Sequence, residues 1–156
     1  MLKLTAIPGV IAVSAILAAA PAHAQESKVT HAQLPAAVRQ AVAANSKGAT
    51  VKGYAREVEH GQTFYETEMK ANGLSRDVLM DSTGAVVEVE QQVTMAALPA
   101  SVQSALRSKS GQGRIVKIES LTKQGRLVAY EAQVHTGKKH SEIQVGPAGE
   151  TLDHEE

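Results

Sequence analysis

Two groups of residues have types and spacings that could do chemistry. The first is a pair of histidines, His135 and His140, on either side of a Gly137-Lys138 turn, with Glu142 two residues further on. Two imidazoles and a carboxylate on neighbouring strands make a ligand set for zinc or copper. The second is a set of carboxylates, Glu66, Glu68, Asp77, Glu88, Glu131 and Glu142, within runs that read as short strands. Gathered on one face, such groups are hard oxygen ligands for calcium or magnesium. Equally, they form a surface whose potential attracts and selects a cationic partner. Acid–base catalysis by the same carboxylates would need a pocket that shifts a pKa, and a flat sheet does not promise one.

Other chemistry is closed off by what the chain lacks. There is no Gly-x-Ser-x-Gly, no phosphate-cradling glycine loop and no zinc-protease helix motif. Absence of cysteine removes thiol catalysis, thiolate metal sites and disulfides together. One Phe, three Tyr and no Trp give no stacking platform for single-stranded nucleic acid. The 156 residues carry 16 Lys plus Arg against 16 Asp plus Glu, so the basic excess that would draw phosphate is missing too. A composition of 43% apolar and 21% charged residues is that of a globular chain. The expectation is a protein that is not an enzyme, needs no cofactor unless a divalent metal, and engages neither nucleic acid nor membrane once exported.

Export is read from residues 1–24. Lys3 precedes an apolar run from Ala6 to Ala20, followed by Pro21 and the small-x-small triplet Ala22-His23-Ala24 before Gln25. The run is short of the roughly 20 residues a bilayer span requires. Cleavage there leaves 132 residues with 15 basic and 16 acidic side chains, a formal charge of −1. The destination is the periplasm or the exterior.

The remainder is written twice. Leu34-Pro35-Ala36-Ala37-Val38-Arg39-Gln40-Ala41-Val42 returns 64 residues later as Leu98-Pro99-Ala100-Ser101-Val102-Gln103-Ser104-Ala105-Leu106. Past the first hairpin the offset becomes 65, with Tyr65-Glu66 matching Tyr130-Glu131 and Gly84 matching Gly149. Each copy opens on an amphipathic helix, and turn residues such as His60-Gly61, Asn72-Gly73 and Gln124-Gly125 then divide four short strands.

Closing the central hairpins at Asn72-Gly73 and Gly137-Lys138 sets their registers. Tyr65 then pairs with Met80, Thr67 with Val78 and Glu68 with Asp77, while Tyr130 pairs with Val145, Ala132 with Ile143 and His135 with His140. The face holding Tyr65, Met69, Val78 and Met80 belongs under the helix. On the other face fall Phe64, Glu66, Glu68, Lys70, Asp77, Leu79, Val86, Glu88 and Glu90. The second copy adds Ala129, Glu131, Gln133, His135, His140, Glu142, Gln144, Asp153 and Glu155. That face holds nine carboxylates against one lysine. Like charges directly opposite, such as Glu68 and Asp77, destabilise a strand pair; either the face is simply solvated and softened by first-strand cations such as Lys52, Arg56 and Lys117, or a partner or metal offsets the charge. The first strand of the second copy is harder to register, because Ile115, Val116, Ile118 and Leu121 do not alternate and imply a bulge.

The Leu-Pro-x-x-Val helix start, the Tyr-Glu of the second strand, the x-Asp-x-x-Gly turn and the tandem arrangement resemble the PepSY-like proteins, grouped with the beta-lactamase-inhibitor-like fold. The likeness covers roughly residues 30–156. It implies small exported bacterial α+β modules, some linked to binding or inhibiting secreted enzymes. The second copy departs at its last turn, where Gly146 stands in place of Asp81.

The expected fold is α+β: two tandem copies, each one helix packed on a four-stranded antiparallel sheet, over residues 25–93 and 94–156. The expected function is an exported, non-enzymatic binding module that engages a protein or peptide partner through Glu66, Glu68, Asp77, Glu88, Glu131 and Glu142. The rivals are a periplasmic divalent-metal binding or sensing protein, using His135, His140 and Glu142, and an inhibitor of a secreted peptidase or hydrolase.

Overall fold

A computed structural model of the chain describes residues 25–154 and Glu156. The export segment read at 1–24, and Glu155, lie outside the described residues. Among the described residues eight strands and two α-helices follow one another: β1 (Gln25–Lys28), α1 (Ala36–Asn45), β2 (Thr50–Glu59), β3 (Gln62–Ala71), β4 (Leu74–Asp81), β5 (Val86–Gln92), α2 (Ala100–Ser110), β6 (Arg114–Lys123), β7 (Arg126–Thr136) and β8 (Lys139–Val145). Among the described residues no helix is long and apolar enough to cross a membrane.

The strands form one antiparallel sheet in the order β1 to β8. This corrects the expected fold of two copies, each a helix on its own four-stranded sheet. β5 pairs with β6, from Glu88 opposite Lys123 to Gln92 opposite Glu119, so the sheet is continuous. With helices of only 10 and 11 residues the architecture is mostly β. The physical reason is the unmet backbone of β5. Its first edge takes β4, and leaving the second edge bare would expose a row of N–H and C=O groups.

The order within each copy changes with it. Each helix lies between two strands that pair with each other, β1 with β2 and β5 with β6. Equivalent hydrogen bonds mark the match: Val29 N–H donates to the Tyr54 carbonyl at 3.0 Å and Val93 N–H to the Ile118 carbonyl at 2.9 Å. The repeated unit is therefore strand, helix, three strands. Among the described residues no strand follows β8.

Local chemistry explains the elements. Pro35 and Pro99 stand at the helix N-caps, where a missing N–H costs no helical bond. Val38 and Val42 of α1 with Leu34 just before it form one buried stripe, and Val102 and Leu106 of α2 with Leu98 just before it form the other. Beneath α1 lie Met69, Val78 and Met80; beneath α2 lie Ile118, Ala132 and Val145. The β3–β4 turn has positive φ at both Asn72 and Gly73, as a type I′ hairpin requires. The registers of Tyr65 with Met80, Thr67 with Val78, Glu68 with Asp77, Tyr130 with Val145, Ala132 with Ile143 and His135 with His140 are those read from the sequence.

Each helix is pinned to the sheet by a glycine turn. Gly84 has φ 83° and a Cβ there would lie 2.7 Å from the Ala37 carbonyl oxygen; Gly149 has φ 88° and meets the Ser101 carbonyl at 2.8 Å. In the first turn the Asp81 carboxylate accepts from Thr83 N–H at 2.8 Å and Ala85 N–H at 3.1 Å. In the second, where Gly146 replaces that aspartate, Glu150 reaches back to accept from Ala148 N–H at 2.8 Å.

Register shifts then decide which side chains reach the uncovered face. One in β6 between Ile115 and Lys117 leaves Ile115 and Ile118 on the core side, with Lys117 and Glu119 opposite. Another, between Leu79 and Met80 against β5, turns Val86 into the core under α1, correcting its expected place on the open face.

Candidate functional site

The uncovered face is built around the middle of the sheet. Register rows run Glu66–Leu79–Glu88–Lys123 and Glu68–Asp77–Glu90–Leu121 across β3 to β6. A further row runs Gln92–Glu119–Glu131–Gln144 across β5 to β8. Ala55, buried and opposite Glu66, and Gly53, opposite Glu68, are small residues at the first edge of this region. A Cβ on Gly53 would stand 3.3 Å from the Glu68 carboxylate, so the glycine leaves room for that side chain.

Glu57, Glu66, Asp77, Leu79, Glu88 and Glu90 line a recess of about 170 Å³. Packing carboxylates together while withdrawing them from water penalises the charged form of each. Burial pushes Glu66 up to about 8, helped by a hydrogen bond with Glu57 and by the charges of Glu57, Asp77 and Glu68. Glu90 is pushed up to about 7 by burial and then by Glu119, Glu88, Glu131 and Asp77. Asp77 and Glu88 are also raised by burial, with Lys117 and Lys123 respectively pulling the other way. At neutral pH the recess therefore holds protons that isolated carboxylates would have lost.

Two lysines supply the internal counter-charge. Lys117 Nζ lies 2.7 Å from the carboxylate of Glu119, which is only 4% exposed. Asp77, Glu90 and Glu119 each bring an oxygen within 4.8 Å of the others, a spacing that suits a cation. The Lys117 ammonium, held charged by these same three groups, already supplies that cation. Lys123 is shared between Glu88 at 3.9 Å and Glu156 at 3.8 Å.

The six carboxylates expected from sequence to form one surface are thus distributed over distinct surroundings. Glu66, Asp77 and Glu88 line the recess, with Glu68 beside it. Glu131 accepts a 2.8 Å hydrogen bond from the Gln144 side chain. Glu142 stands apart, beside the histidines. Glu57, Glu119 and Lys123 are not placed here by the sequence, whereas Lys117 is one of the first-strand cations expected to soften the face. Glu57 was within reach, because closing a hairpin at His60-Gly61 places it opposite Phe64 on the same face as Glu66. Glu119 was not: the same construction from Gln124-Gly125 sends it to the core, and only a second shift, between Leu121 and Thr122, returns it to the open face.

His135 and His140 face one another across β7 and β8 with ring centroids 4.0 Å apart in an edge-on arrangement. With Gln133, Ser141 and Glu142 they line a second recess of about 330 Å³. His135 is held below the usual imidazole range by reduced solvation and by its neighbours His140 and Arg114.

The comparisons with known proteins agree with this fold. No curated protein matches the chain. A BLIP-like protein from Bacteroides fragilis is 19% identical, with a TM-score of 0.58 over 76% of this chain and 83% of its own. A protein from Bacteroides eggerthii described as periplasmic is 20% identical, with a TM-score of 0.63 over 76% and 86%. A third, of the DUF2874 family from Bacteroides uniformis, is 21% identical, with a TM-score of 0.60 over 74% and 84%. At these identities the likeness is one of fold. The profile of the beta-lactamase-inhibitor-like, PepSY-like family matches twice, over residues 22–88 and 71–150, and the chain belongs to that family.

Proposed function

We propose that this protein is an exported, non-enzymatic binding module whose uncovered sheet face receives cationic side chains of a protein or peptide partner at the recess formed by Glu57, Glu66, Asp77, Glu88 and Glu90. The observation that carries the reading is the charge arrangement. Five carboxylates converge on one recess, while Lys117 is engaged by Glu119 and Lys123 is divided between Glu88 and Glu156. A guanidinium or ammonium from outside would complete the neutralisation and favour the ionised carboxylates. A periplasmic location accords with the description of the Bacteroides eggerthii relative.

Entry of a cation into carboxylates that hold protons must expel protons, which separates this reading from loose attraction to a charged surface. The test is calorimetric titration with a hexa-arginine amide at pH 7 in two buffers of different ionisation enthalpy. Saturable binding with net proton release is expected, weakened about tenfold or more in the double variant Glu66→Gln, Glu90→Gln. Equal binding by the native and double-variant proteins, or binding without proton release, would sink the proposal.

A further inference from the structure

We propose that the β7–β8 hairpin carries a transition-metal site, separate from the acidic recess, in which His135 and His140 anchor a Zn²⁺ or Cu²⁺ ion and Glu142 supplies a third ligand.

The backbone fixes the pairing. Positive φ at Gly137 closes the hairpin so that His135 lies directly opposite His140. A slip of one residue would send the two imidazoles to opposite faces of the sheet. Gln133 pairs with Glu142 in the next row on the same face, so the carboxylate stands diagonal to the histidine pair. Two imidazoles on one tetrahedral ion hold their ligating nitrogens about 3.3 Å apart, given zinc–nitrogen bonds of about 2.0–2.1 Å. As they stand, with the rings edge-on at 4.0 Å between centroids, the three side chains do not bring their ligating atoms within 4.8 Å of one another; His140 and Glu142 are exposed, and turning them closes the set on an ion. The adjoining recess of about 330 Å³ leaves space for the ion and its remaining water ligands.

The donor set also discriminates. Paired imidazoles with one carboxylate suit zinc and copper, whereas calcium and magnesium prefer all-oxygen surroundings. Arg114, opposite His135, opposes the ion's charge, and Glu142 offsets it. In the first copy the equivalent register pair is Lys70 with Ser75, so repetition of the fold does not explain the histidines.

Titrating the protein with Zn²⁺ at pH 7.5 should give one equivalent of binding that weakens at least tenfold in His135→Ala and in His140→Ala, and by a smaller factor in Glu142→Gln. Excess Ca²⁺ should not compete. Substoichiometric Cu²⁺ should broaden the imidazole resonances of His135 and His140 before those of His31, His60 and His154. Both histidines stand at the sheet surface, so an unchanged thermal transition of the metal-free variants separates loss of ligand from loss of fold. Glu66→Gln with Glu90→Gln should leave the zinc titration unchanged. The proposal is overturned by absence of zinc binding, by binding that survives loss of both histidines, or by binding that follows the recess variant.

Discussion

Replacing Glu66 with glutamine keeps the shape of the side chain and its capacity to hydrogen-bond Glu57 but removes its ionisation. In the unfolded chain this carboxyl titrates near 4.5, and in the folded recess near 8. Between those values the unfolded chain has released the proton while the folded protein retains it. Stability must therefore fall as pH rises through that window, from full stability below about 4.5. The shift taken at face value corresponds to about 5 kcal/mol. Solvent reaches the recess and the proton is shared with Glu57, which reduces the effect to about 2 kcal/mol. Urea unfolding between pH 5 and pH 9 provides the assay. Native protein and Glu66→Gln should be nearly equal at pH 5, and the variant should be the more stable by about 2 kcal/mol at pH 9. Parallel stability curves across that range would refute the reasoning, because they would mean that Glu66 ionises in the folded protein as it does in water.

Five further substitutions probe other parts of the design. Lys117→Met leaves the nearly buried Glu119 carboxylate without the ammonium 2.7 Å away. It should cost about 2 kcal/mol at pH 8 by urea unfolding and less at pH 5, where the neighbouring carboxyls take up protons. Thr67 is 1% exposed and its hydroxyl oxygen has no hydrogen-bond partner. Thr67→Val should stabilise the protein by about 1 kcal/mol, read as a higher denaturation midpoint with unchanged slope. Gly84→Ala and Gly149→Ala would each drive a Cβ into a helix carbonyl from a left-handed backbone conformation. Each should lose about 2 kcal/mol in chemical denaturation, while Gly61→Ala, with open space around it, should lose less.

Much of the face was legible because hairpin geometry is local. Asn72-Gly73 and Gly137-Lys138 set the pairing of β3 with β4 and of β7 with β8, and alternation then placed Glu66, Glu68, Asp77, His135, His140 and Glu142 on one side. Alternation breaks where an extra residue enters a strand: it puts Val86 on the open face although Val86 packs in the core, and it gives no place to Glu119 in a run whose apolar residues do not alternate. A bulge changes the parity of every later side chain, yet leaves little mark in composition. The exchange of Asp81 for Gly146 reads as a loss in sequence; in the structure Glu150, four residues later, serves the second turn instead.

Sequence alone determined the duplication, the two helices with their buried stripes, the hairpin registers and the concentration of acid on one side, since each depends on neighbours within a few residues or on a repeated motif. Tertiary structure decided that the sheet is continuous, that Glu119 joins the acids of β3 to β5, and that Lys117 is the first-strand cation set against it. It also decided how strongly Glu66 and Glu90 hold their protons. Those outcomes depend on which distant strand satisfies an open edge and on how closely like charges are forced together away from water, and both are properties of the assembled sheet.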